Sequence, residues 1–121
     1  MQRKKLGTES ELLAAEFLES KKYRILERNV RCSMGEIDIV ALDEGVVVFV
    51  EVRSTLAGKF GHPKESLTPR KRRTLSMLAV WYLKRKGWLD RSARFDVVTV
   101  TPQPSGDPKV EHYENAFEKA C

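Results

Sequence analysis

Residues 35–53, GEIDIVALDEGVVVFVEVR, set the tightest limit on how this chain folds. Val46, Val47, Val48, Phe49 and Val50 form an unbroken apolar run, the pattern of a strand buried on both faces. Glu51 interrupts the run, Val52 resumes it and Arg53 breaks it again. Upstream, Glu36 and Asp38 alternate with Ile37 and Ile39. Side chains alternate faces along a strand, so Glu36 and Asp38 share one face of the first strand, and Glu51 and Arg53 share one face of the second. Asp43-Glu44-Gly45-Val46 predicts a hairpin with a two-residue loop of Glu44 and Gly45, the glycine supplying the positive φ such turns need. Asp43 then faces Val46, and counting back sets Asp38 opposite Glu51 and Glu36 opposite Arg53. A slip of one residue would send one carboxylate to the other face. Directly opposed residues have Cβ atoms roughly 4.5–5.5 Å apart. Two carboxylates that close beside a buried run repel and stay charged only with compensation, and a divalent cation supplies it economically. A charged strand end without any ion is the plainer alternative.

With 121 residues, the chain suits one compact domain, residues 1–121. Its 22 Lys and Arg against 17 Asp and Glu leave a net charge of +5, which suits a nucleic-acid partner. No apolar stretch approaches the ~20 residues of a membrane span. The start, MQRKKLGTESE, is basic but lacks an apolar core, so it is not read as a secretory signal. Cys32 and Cys121 read as free thiols in a reducing cytosol, and two Cys and two His without close spacing argue against a zinc site.

In chain order, residues 6–21 read as a helix, with Leu13, Ala14, Phe17 and Leu18 at helical spacing. Glu11 borders the buried side. It is the acid of a capping box in Thr8-Glu9-Ser10-Glu11, a simple boundary charge, or an acid reaching toward the paired carboxylates. Residues 22–31 predict an edge-like strand rich in cations, with Tyr23, Ile25 and Leu26 as its apolar members. Residues 54–68 have no periodicity and read as a loop carrying Lys59, His62 and Lys64. His62 is either a substrate contact or a plain surface histidine. Thr68-Pro69 opens the longest helix, which Gly87 ends. Leu75, Leu78, Ala79, Tyr82 and Leu83 form its packed stripe, widened by Met77, Val80 and Trp81. Arg70, Lys71, Arg72 and Arg73 crowd its positive N-terminal end, where acids are preferred. An anion docking there, phosphate above all, would relieve the conflict; a solvated basic turn is the alternative. Lys71 lies one turn before Leu75, on the inward stripe. Residues 94–101 predict a strand with Phe95, Val97 and Thr99 on one face and Val98 and Val100 on the other, preceded by Trp88 and Leu89 as packing residues. Residues 110–113 read as a short edge strand and 114–120 as a short terminal helix.

A carboxylate pair with a cation two residues beyond the second acid is the arrangement of metal-assisted phosphodiester cleavage. The order Gly7…Glu11…Asn29…GEIDIV…FVEVR…Phe60-Gly61…Lys71…Arg94-Phe95-Asp96-Val97 closely resembles the bacterial YraN-like family. That family is similar to archaeal Holliday-junction resolvases, within the restriction-endonuclease-like PD-(D/E)xK superfamily. The resemblance implies an α/β fold with an α-β-β-β-α-β core, a central mixed sheet flanked by helices. It implies Asp38 and Glu51 as ligands of Mg²⁺ or Mn²⁺, Glu11 joining them, and Arg53 at the superfamily's lysine position. The chain departs from the usual pattern there, because Arg stays protonated and cannot serve as a general base.

The expected function is therefore a metal-dependent endonuclease cutting DNA, branched or structured DNA included, with Asp38, Glu51, Arg53 and Glu11 as site residues. Lys59, Lys64, Arg70, Lys71, Arg72 and Arg73 are the expected nucleic-acid contacts. The alternative is a nucleic-acid-binding module on a nuclease scaffold with lost or weakened chemistry, motivated by Arg53. A purely structural protein–protein module leaves the buried acids unexplained. Junction-resolving enzymes act on two strands, so the resemblance also carries the expectation of a homodimer; the setting is cytoplasmic, with no membrane partner.

Overall fold

The computed structural model describes residues 2–54 and 67–118, with side chains from residue 9 onward. Its elements run α1 (Gln2–Ser20), β1 (Arg24–Cys32), β2 (Gly35–Asp43), β3 (Val46–Ser54), α2 (Pro69–Lys86), β4 (Ala93–Thr101) and β5 (Lys109–Phe117). The strands form one mixed sheet in the order β1-β2-β3-β4-β5. Among the described strands only β3 and β4 pair in parallel, with α2 between them in the chain. The three remaining pairings are antiparallel. The expected α-β-β-β-α-β order is present with one further strand, β5, at the edge.

The two faces are covered by different helices. Ala14, Ala15 and Leu18 of α1 pack on Ile39, Ala41, Val48, Val50, Val98 and Val100. Leu75, Leu78, Ala79, Tyr82 and Leu83 of α2 pack on Val40, Val47, Phe49, Phe95 and Val97. β3 thus feeds both cores with successive residues, which is why it reads as an uninterrupted apolar run. Thr68 caps α2, its hydroxyl accepting from the Lys71 N–H at 3.1 Å, and Gly87 closes the helix in the left-handed conformation at φ 74°. Gly35 begins β2 at φ 147°, a backbone conformation that residues with a Cβ rarely adopt.

Several expectations need correction. α1 begins at Gln2, so Thr8 lies inside the helix and does not cap it; Glu11 is free of the capping-box role. Met77 does not widen the buried stripe of α2 but stands 48% exposed, and Leu89 is also exposed. Residues 114–117 are strand, not helix. Phe117 stacks on Phe95 with ring centroids 4.6 Å apart. A bulge between Phe95 and Val97 turns the Asn115 N–H onto Asp96 Oδ1 at 3.0 Å. Burial of an aromatic ring and satisfaction of a buried carboxylate outweigh the helix preference of a short segment.

That carboxylate centres a polar network under the C-terminal end of α1. Asp96 has no exposed surface. It accepts from Arg94 Nε at 3.0 Å and pairs with His112 Nε2 at 2.7 Å. Arg94 also donates to Asp43 at 3.0 Å and to the Tyr23 hydroxyl at 2.6 Å, and Tyr23 donates to Glu114 at 2.7 Å. Lys21 Nζ lies 2.7 Å from His112 Nδ1, so His112 accepts there and donates through Nε2 to Asp96.

Candidate active site

The hairpin folds in the expected register. Glu44 and Gly45 form its loop at φ 48° and 86°, and the rungs run from Asp43↔Val46 to Ile39↔Val50. The ladder ends at that rung, short of the expected Asp38–Glu51 and Glu36–Arg53 pairs. Here the ladder gives way to a side-chain contact, the Val52 N–H donating to Asp38 Oδ2 at 2.8 Å. β3 continues past this point by pairing with β4, Glu51 opposite Val97.

Alternation breaks at the same level. Ile39 and Ala41 belong to the α1 side of the sheet, yet Ile37 packs on the α2 side with Val30, its partner on β1. Two residues apart on a regular strand would share a face. On β1, Asn29 stands between the rungs Arg28↔Ile39 and Val30↔Ile37 with φ 55°, a left-handed kink in mid-strand. The distortion lets Asp38 meet an acid from α1 and an acid from β3 together.

Glu11, Glu36 and Asp38 each bring a carboxylate oxygen within 4.8 Å of the other two. Glu51 also adjoins Asp38, though outside that group of three; it is 8% exposed and lines a small pocket with Ile37, Phe49 and Leu75. Its Oε2 lies 3.5 Å from Lys71 Nζ and 3.9 Å from Arg53 Nη1. Glu36 turns to β1 and accepts from Arg31 Nε at 2.8 Å. The site therefore gathers Glu11, Asp38, Glu51, Arg53 and Lys71 from α1, β2, β3 and α2.

Electrostatics follow from this crowding. Burial first, then the Glu51 and Glu11 charges, push the Asp38 carboxyl up to about 8, although the Val52 N–H pulls the other way. Burial and the neighbouring Glu36 also raise Glu11, opposed by Arg28, Asn29 and Asp38. Glu11, Glu36 and Asp38 cluster with Glu51 beside Asp38; Arg28 acts on Glu11, Arg31 pairs with Glu36, and Arg53 and Lys71 pair with Glu51.

The other predicted contacts are dispersed. Arg70 and Arg73 are exposed on the first turn of α2. Arg72 folds back to donate to the Leu67 carbonyl at 3.0 Å. Lys59, His62 and Lys64 lie outside the described residues. Pattern reading gave no role to Asn29 or Arg28 and left Glu36 out of the ligand set. The available signal was an Asn within a strand, because Asn tolerates positive φ better than most residues.

The sequence profile of Uncharacterised protein family UPF0102 matches residues 10–100. The chain belongs to the UPF0102 family. Among its relatives, a UPF0102 protein of Geobacter sulfurreducens is 48% identical over 115 residues, covering 95% of this chain and 90% of the relative. One from Symbiobacterium thermophilum is 46% identical over 114 residues, covering 94% and 97%. The resemblance carried by GEIDIVA and FVEVR holds at the level of this UPF0102 family. Among solved structures, Pyrococcus furiosus SfsA in complex with Ca²⁺ is similar at a TM-score of 0.45 and 15% identity, covering 92% of this chain and 63% of the other. A likeness of that size decides neither fold family nor function. Among the described residues no helix is long and apolar enough to cross a membrane.

Proposed function

We propose that this UPF0102 chain is a divalent-cation-dependent endonuclease of the restriction-endonuclease-like superfamily, cleaving DNA phosphodiester bonds, branched or structured DNA included. One observation carries the reading: Asp38 lies beside both Glu11 and Glu51, while Arg53 and Lys71 stand on Glu51. The donor set fits a hard divalent ion, since it is all carboxylate oxygen and too crowded to hold its charge alone. Asp38, Glu51 and Glu11 would hold Mg²⁺ or Mn²⁺, with Glu36 beside them. When bound, such an ion polarises a phosphoryl oxygen and lowers the pKa of a coordinated water.

The chain's own groups do the rest. Arg53 stays protonated, so it binds a non-bridging phosphate oxygen and stabilises the negative charge of the pentavalent transition state without taking a proton. Lys71 offers a second cation to the same phosphate. Arg70 and Arg73 on the first turn of α2 hold the flanking backbone. The reading sets the protein in the cytoplasm, with nucleic acid as partner, DNA ahead of RNA, and two copies acting on two strands.

The test is cleavage of duplex, single-stranded, flap and four-way-junction DNA with Mg²⁺ or Mn²⁺. Cutting is expected from the wild type, with a loss of at least about 100-fold in Asp38→Ala and Glu51→Ala, the scale of removing a group that organises transition-state charge. No cutting of any substrate, or activity surviving both substitutions, sinks the reading. Arg53 itself favours a second reading, a binding scaffold with weakened chemistry. Cleavage gained only by Arg53→Lys supports that alternative.

A further inference from the structure

Asn29 touches two of the clustered carboxylates at once. Its side-chain oxygen cannot face carboxylate oxygens without two acceptors opposing each other, so its nitrogen faces them. In that orientation the amide donates to Glu11 Oε1 at 2.7 Å and to Glu36 Oε1 at 2.9 Å. Both hydrogens of one NH₂ group are then used, and an acid of α1 is tied to an acid of β2. Glu36 is held at its other end, its Oε2 accepting from Arg31 at 2.8 Å. With one oxygen on Asn29 and the other on Arg31, Glu36 is an anchor, and the contact passes through Asn29 to Glu11.

The backbone is bent to make this possible. Asn29 keeps φ 55° in the middle of β1, level with Asp38 and beside the point where alternation on β2 fails. Left-handed backbone in a non-glycine strand residue is held only where surrounding contacts enforce it. The kink and the forked amide bring the carboxamide to Glu11 and Glu36 together.

We propose that Asn29 is a positioning residue that carries the Glu11 carboxylate into the Asp38 group, with Glu36 and Arg31 as its support. The functional consequence rests on the metal-centre reading above, but the link itself does not. Two variants separate side chain from backbone. Asn29→Gly keeps the left-handed backbone comfortable and removes the fork. Asn29→Asp keeps size and backbone tolerance and replaces the donor with acceptors that repel both acids.

Mn²⁺ binding, followed by electron paramagnetic resonance, is expected to weaken about 10- to 100-fold in Asn29→Gly, the usual effect of losing a group that orients a ligand, and further in Asn29→Asp. Affinities equal to wild type in both variants would overturn the proposal and leave Asn29 a backbone role only. A second measurement needs no metal. The Asn29 side-chain NH₂ resonances are expected to move in both Glu11→Gln and Glu36→Gln. Resonances that respond to neither substitution would also overturn it. Wild type that binds no Mn²⁺ sinks the metal-centre reading alone, and the NH₂ response still decides the Asn29 link.

Discussion

Burial, then the charges of Glu51 and Glu11 beside it, push the Asp38 carboxyl up to about 8, against 3.8 for an ordinary aspartate. The consequence for stability has a definite sign. An unfolded chain ionises this group near pH 4, whereas the folded one resists ionisation until about 8, so folding takes up a proton between those values. Stability falls as pH rises through that window and levels off above it. Asp38→Asn removes the penalty. Thermal melts from pH 5 to 9 are expected to show the variant gaining on wild type as pH rises, with the difference complete by about pH 9. Mn²⁺ at pH 8 is expected to raise the melting temperature of wild type more than that of Asp38→Asn. Parallel melting curves for the two proteins across this range would contradict the placement of Asp38 buried beside Glu51 and Glu11.

At the scale of elements, α2 carries the clearest conflict between stability and use. Its first turn holds no acid and sets Arg70 and Arg73 into solvent at the positive end of the helix dipole. A helix selected for stability alone would carry the opposite charge there. The double substitution Arg70→Gln with Arg73→Gln is expected to stabilise the fold by about 0.3–1 kcal/mol per site. On the proposed nuclease reading, the same change is expected to flatten the salt dependence of DNA binding by about two phosphate contacts. Chemical denaturation and binding across salt concentrations check the pair together. Loss of stability with unchanged binding would show these arginines to be structural. β5 teaches the complementary lesson. Its end has helix-compatible composition, but Phe117 on Phe95 and Asn115 on Asp96 hold it extended.

Across the whole molecule, the Asp96 network joins parts distant in sequence. Lys21 follows α1, Tyr23 precedes β1, Asp43 ends β2, Arg94 opens β4, and His112 and Glu114 lie on β5. Burial by itself would raise the Asp96 carboxyl; His112, Arg94 and the Asn115 N–H override it and hold the group below the ordinary range. A depressed carboxyl stabilises the fold above the unfolded pKa near 4, and that stabilisation is lost as pH falls through the folded value. Asp96→Asn removes the buried charge that Arg94, His112 and the Asn115 N–H converge on, while the partly exposed Arg94 keeps Asp43, and is expected to cost about 1–3 kcal/mol at pH 7. The deficit relative to wild type narrows on acidification below pH 4. Urea unfolding at pH 7 and pH 3 reads both numbers, and an equal deficit at the two pH values would contradict the assignment.

Local pattern was enough for the parts of this chain that face one environment at a time. The apolar run of β3, the Glu44-Gly45 turn and the Thr68 and Gly87 ends of α2 were legible because period, turn chemistry and capping act between near neighbours in sequence. The hairpin rungs from Asp43–Val46 to Ile39–Val50 followed from counting across that turn. Contacts made across the fold were not legible. The assembly of Glu11 with Asp38, the Asn29 kink, the recruitment of Glu36 to β1 and the extension of β5 each depend on groups far apart in the chain. Hydrophobic burial chooses the faces from residue type, so a sequence displays it. The partners of a polar or charged group are chosen by which backbones pack together, and only the tertiary structure decides that.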